Sequence, residues 1–294
     1  QLYGDGANLS NVGFTTDAHG NLVAGTDAGA NLSGSQSCRN ILIGCNAGEN
    51  GTFTSACDNV IIGTNAASLS DVTGDCNVFI GNYAGRRLTS GTRNVALGSN
   101  AGGRITTGSC NTAIGNGTIG STNSTGNFNT ALGQEAGKGI KDGGSNTFVG
   151  YYASAKCYVC GDNNTSLGKR AGQCLTDGDR NVFLGAYAAS DAVFTGDCNV
   201  VIGAGQSLPI KDGSNQLAIG ARYDSWIIGN ANFNVGIGTT NPELAVGVGN
   251  TAKLSVGILS AYQLYGDGSN LSGVGFNPDS QNNLYAGTNA GASS

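Results

Sequence analysis

The side chains best equipped for chemistry in this chain are nine cysteines, a solitary histidine and 19 carboxylates, so the first question is whether their spacing builds a site. Cys157-Tyr158-Val159-Cys160 has the Cys-x-x-Cys form that can supply half of a zinc site or act as a redox dithiol. Zinc calls for a second Cys pair or a nearby His, and neither is present. A redox pair calls for a strand-to-helix setting that this sequence lacks. His19 is the only His, and Gln281 stands in its place in a later copy of the same segment, so it reads as a surface loop residue rather than a general base. Asp5 and Asp267 in Gly-Asp-Gly turns, with Asp177 and Asp179, could take Ca²⁺, but no nine-residue Ca²⁺-binding pattern recurs and turn formation accounts for them. Glycoside hydrolysis needs carboxylates paired across a groove, and the 19 acidic residues here fall mostly in turns. The expectation is a chain that is not an enzyme and uses no cofactor or metal.

What the remaining residues do is repeat. An Asn, a β-branched residue, a variable residue, an aliphatic residue and a Gly form one phrase, as in Asn40-Ile41-Leu42-Ile43-Gly44 and Asn94-Val95-Ala96-Leu97-Gly98. Ten full copies place Asn at Asn40, Asn59, Asn77, Asn94, Asn111, Asn129, Asn146, Asn164, Asn181 and Asn199. The matching aliphatic residues are Ile43, Ile62, Ile80, Leu97, Ile114, Leu132, Val149, Leu167, Leu184 and Ile202. A weaker copy opens at Asn21 and one stretched by a residue closes at Asn215, and with these included the copies start 16 to 19 residues apart. A fixed period of this size marks stacked supersecondary units.

Alternate side chains of a strand share a face, so the second and fourth places point the same way. Both are β-branched or aliphatic, with Thr at the second place in four copies, and the expectation is that they form the core, with the fourth-place residues stacked as an axial ladder. The same reading turns Thr112, Thr130, Thr147 and Thr165 inward. The third place holds Leu42, Phe79, Ala96 or Ser166 and is read as the less constrained face, toward solvent or another layer or chain. Coils stacked in register bring identical amides ~4.8 Å apart, so the Asn series is expected to form a hydrogen-bonded ladder. Gly supplies the turn. After it, Cys45-Asn46-Ala47-Gly48 and its equivalents read as a corner and a short strand of small residues, and the Gly-, Thr-, Ser- and Asp-rich remainder as loop. The stretches between Gly48 and Cys57, Gly85 and Arg93, and Ser154 and Asn163 are expected to be the variable, outward parts. The fold class is therefore all-β, a parallel β-solenoid or β-roll of about 11–12 coils, and ~55 Å long at the strand spacing.

The cysteines follow the repeat. Equivalent positions in stacked coils lie about 5 Å apart, within the reach of a disulfide, so axial bridges are predicted at Cys38–Cys57 and Cys157–Cys174; buried free thiols are the alternative. Bridges of this kind belong to an oxidising, extracellular setting.

Composition narrows the classes. With 51 Gly, 11% charged residues and a net charge of −5, the chain offers no basic footprint for nucleic acid. No apolar run is long enough to insert in a membrane as a helix. Residues 1–32 return at 263–294 with an offset of 262 and 21 of 32 positions identical, so a long repeat contains the short one. The organisation reads as a connector (1–20), the array (21–220), a transition segment (221–262) and the start of the next unit (263–294). A turn is expected at Asn241-Pro242, and Ala252 to Leu259 alternates as a strand does.

The phrase Asn94-Val95-Ala96-Leu97-Gly98-Ser99-Asn100-Ala101-Gly102 resembles the repeats of trimeric autotransporter adhesin heads and, more closely, of bacteriophage tail-fibre proteins. The Asn234 to Pro242 stretch and Tyr265-Gly266-Asp267-Gly268-Ser269-Asn270-Leu271 are similar to segments of phage fibres. The resemblance implies a homotrimer about one axis and an exposed extracellular fibre that attaches to a surface. The coils here are longer than those of adhesin heads, and a coil of this length can also close its core within one chain. The expected function is a structural fibre or filament, self-associating as a homotrimer or head-to-tail polymer, with a cell-surface glycan or protein receptor as a possible partner. Alternatives are a tail-fibre receptor-binding protein and a fibre-borne glycan-degrading enzyme.

Overall fold

The computed structural model describes residues 16–237 apart from 33–35, 50–52, 121–122, 192, 223 and 233–234. The connector up to residue 15, the turn at Asn241-Pro242, the strand expected over 252–259 and the second copy at 263–294 lie outside the described residues.

Each phrase forms a three-residue strand over its second to fourth places. The strands are β1 (Leu22–Ala24), β2 (Ile41–Ile43), β3 (Val60–Ile62), β4 (Val78–Ile80), β5 (Val95–Leu97) and β6 (Thr112–Ile114). They continue as β7 (Thr130–Leu132), β8 (Thr147–Val149), β9 (Thr165–Leu167), β10 (Val182–Leu184), β11 (Val200–Ile202) and β12 (Leu217–Ala221). Neighbours pair in parallel and in sequence order, giving an all-β, parallel β-solenoid of about ten turns. The register is strict: Ile43 pairs with Ile62, Ile62 with Ile80, Ile80 with Leu97 and Leu97 with Ile114. At the far end β13 (Asp224–Gly229) and β14 (Val235–Ile237) add antiparallel strands, so the parallel winding stops at β12.

The face that points inward is the opposite of the one expected from the uniform aliphatic column. The third-place residues Leu42, Ile61, Phe79, Ala96, Phe148, Phe183 and Val201 are fully buried. The fourth-place residues stack in one column but on the outer surface of the chain, where Ile80, Leu132, Leu167 and Leu184 are 39–43% exposed and the others half-buried. Thr130, Thr147 and Thr165 likewise face outward and are exposed. The reason is parity. The buried Asn occupies the first place, and a period of two carries the third place inward with it.

The opposite wall comes from segments that read as loop. Phe53, Val72, Leu88, Ile105, Ile140, Val159, Leu175 and Phe194 are buried there, joined by isolated parallel bridges such as Phe53 to Val72 and Leu175 to Phe194. The stretches expected to be outward loops therefore contribute Phe53, Leu88 and Val159 to the core. Wall-to-wall packing follows size: the Phe183 and Phe194 rings meet at 5.4 Å between centroids. The Cys45-Asn46-Ala47-Gly48 signature forms a turn rather than a second strand, and its Ala is fully buried. The Gly that closes the phrase has φ near +130° from Gly25 to Gly203, and a Cβ on Gly81 would lie 2.4 Å from the carbonyl oxygen of Gly98 in the next coil. Only a residue without a side chain fits that stack.

Candidate functional site

The inner face is built on amides. From Asn40 to Asn181, each Asn backbone N–H and each Nδ2 donate to Oδ1 of the Asn one coil earlier, as at Asn111 to Asn94 (2.9 and 3.1 Å). The second Nδ2 proton goes to a loop carbonyl, Gly126 in the case of Asn111 (2.9 Å). Each buried amide thus has all its donors and its acceptor engaged. Asn199 donates its backbone N–H to Asn181 and its Nδ2 to Gly213. The closing copy differs from the sequence expectation: Gln216, not Asn215, takes the next place, its N–H donating to Asn199 Oδ1 at 2.9 Å. Asn215 is the left-handed residue before it, at φ 57°. The last phrase is therefore unstretched, Gln216 to Gly220.

The outer face of the same sheet carries two parallel columns. One runs Ile41, Val60, Val78, Val95, Thr112, Thr130, Thr147, Thr165, Val182 and Val200; the other is the fourth-place series from Ile43 to Ile202. No charged residue interrupts either column. The fourth-place column is aliphatic throughout, whereas Thr takes the second place in four successive strands, β6–β9.

Beside it, at the corner after the Gly, lies a second surface of a different character. Tyr151, Tyr187 and Lys169 are exposed, with Tyr152 and Arg170 half-buried. Lys169 Nζ sits 5.4 Å from the Tyr187 ring centroid, and the Arg170 guanidinium 5.7 Å from Tyr187 and 5.8 Å from Tyr152. A hydrogen bond to Glu135 pushes the Tyr152 phenol above its usual range. Further along the same corner a cavity of about 570 Å³ is lined by Tyr187, Ser190, Asp191, Ser207 and Arg222 among others. Asp191 is its single lining carboxylate and accepts a hydrogen bond from Ser207 Oγ at 2.7 Å.

The cysteines sit where the sequence placed them on the coils, as free thiols. Cys38 and Cys57 interact through their side chains, as do Cys157 and Cys174. Burial is the main reason that the Cys57 thiol is raised and that Cys174 is pushed up to about 11. Cys157 and Cys160 line an open cavity of about 560 Å³ together with Lys141 and Lys156. Among the described residues no cluster of His, Cys, Asp and Glu is arranged to hold a metal ion. His19 is exposed beside Asp17, which accepts its N–H at 2.8 Å. Asp179 works in the backbone, accepting the N–H of Asp162 at 2.7 Å.

The chain matches no family model, and no curated protein or solved structure is significantly similar to it.

Proposed function

We propose that this chain is the shaft segment of an extracellular structural fibre in which three copies associate through the aliphatic fourth-place column of β2–β11, and whose task is length, stiffness and surface attachment. The observation that carries this reading is the outer face itself. A core already closed within one chain by the third-place residues leaves the aliphatic fourth-place column on the surface, in register over ten strands, without charge and, among the described residues, without an element packed over it. Aliphatic columns of constant pitch fit a copy of themselves, because the same spacing recurs on both sides. The laddered hydrogen bonds run along the axis, which suits a rod that resists bending.

The test is the mass of the particle in solution. Sedimentation of the chain is expected to give a trimer, and Leu132→Lys with Leu167→Lys to give a folded monomer. A wild-type chain that sediments as a monomer at micromolar concentration overturns the three-chain reading.

The corner of Tyr151, Tyr152, Lys169, Arg170 and Tyr187 is the surface such a fibre would present outward. Aromatic rings beside cations suit a glycan or protein receptor on a cell surface. Weak contacts of that kind gain strength from many copies along a fibre.

A further inference from the structure

We propose that Cys157 and Cys174 form a thiol–disulfide exchange site: Cys157 takes a small anionic disulfide from solution, and Cys174 then closes a bond that staples one coil to the next.

Three observations lead here. First, the two thiols hold equivalent places in adjacent coils. Two backbone hydrogen bonds flank the pair, Lys156 N to Gln173 O and Cys160 N to Thr176 O, each 2.9 Å. The coils are thus held in register on both sides of the thiols, which themselves interact. Second, the pair is asymmetric. Cys157 is half-exposed and opens on the cavity of about 560 Å³, whereas Cys174 is 7% exposed. Third, Lys141 and Lys156 line that cavity with Cys157 against one carboxylate, Asp177; Lys141 also pairs with Asp142 at 3.2 Å, so Lys156 is the cation offered to a disulfide that carries carboxylates, as glutathione disulfide does.

The steps balance. The Cys157 thiol gives its proton to water and its thiolate attacks one sulfur of the small disulfide. The S–S bond breaks, and one small thiolate leaves with the electron pair. Cys174 then loses its proton, attacks Cys157 Sγ, and expels the second small thiolate. Two protein thiols are oxidised to one disulfide, one small disulfide is reduced to two thiols, and the protons end on those thiols. Cys157 opens on the cavity whereas Cys174 is buried, so the small disulfide reaches Cys157 first.

The experiment is a titration of the full 294-residue chain with glutathione disulfide, followed by trypsin and peptide mapping without reductant. Cleavage after Lys156, Lys169, Arg170 and Arg180 separates residues 157–169 from 171–180. The expected result is these two peptides joined, lighter by two hydrogens than the sum of the free pair, with two glutathiones released per bridge. The joined species should persist in Cys160→Ser and vanish in Cys157→Ser, with far-UV circular dichroism unchanged in both. A link that survives Cys157→Ser and vanishes in Cys160→Ser overturns the assignment. So does a wild-type chain that stops at a glutathione adduct on residues 157–169, or that keeps both thiols free.

Discussion

A buried amide has two protons to donate and one oxygen to offer, and the Asn column is the place in this chain where all of them are used. Asn111 shows what a substitution removes. Asn111→Ala deletes the acceptor for the N–H and Nδ2 of Asn129 and the donor to Gly126 O. Each orphaned buried group costs about 1–3 kcal/mol, so the variant is expected to lose on the order of 3 kcal/mol, read as a lower denaturation midpoint and faster amide exchange in the flanking coils. A surface pair behaves differently. Arg39 and Asp58 meet in a two-pronged ion pair at 2.7 and 2.8 Å, and the hydrogen bond from Arg39 holds the Asp58 carboxyl below the usual carboxylate range. A depressed folded pKa contributes stability above the ordinary value of about 3.9, and that contribution is lost as the pH falls through the folded value. Wild type should therefore lose thermal stability more steeply than Asp58→Asn below about pH 4 and match it closely at high salt, since exposed pairs are screened. At this scale the sequence was legible for the Asn ladder but not for its last rung. Asn215 and Gln216 are adjacent amides, and only the hydrogen bond to Asn199 tells them apart.

At the scale of the strand, one decision separates core from surface. A three-residue strand has one inward side chain, and in β8 it is Phe148, flanked by outward Thr147 and Val149. Phe148→Ala is expected to cost about 3–5 kcal/mol through the cavity it leaves. Leu132→Ala, on the outer column of β7, should leave the fold of a single chain nearly unchanged and weaken association instead. Denaturation and sedimentation of the two variants separate these outcomes, and the reverse order would restore the inward aliphatic column. The inward face was hidden because its residues vary. Phe79, Ala96 and Ser166 each suit a different local gap, while the flat outer face repeats one shape. The opposite wall was hidden for a related reason: single residues such as Phe53 or Leu175, set among Gly, Thr and Ser, carry no period-two signal.

The whole array is close to one-dimensional, each coil touching its two neighbours, so its stability is a sum of units and interfaces. Removing residues 112–129, one period, joins Asn111 to Thr130 and keeps the phrase intact. That chain is expected to fold with its strand content reduced in proportion. Removing 112–120 instead breaks the register and should unfold the coils on either side, which hydrogen exchange would locate. The sequence by itself determined the period, the place of every strand from β2 to β11, the Asn and Gly columns and the grouping of the thiols, because each depends on spacing along the chain. The tertiary structure decided which face is inside, where the opposite wall comes from and where the parallel winding ends. Those depend on what closes over the strand from a distant part of the same coil, and a short strand taken alone has two faces of equal standing.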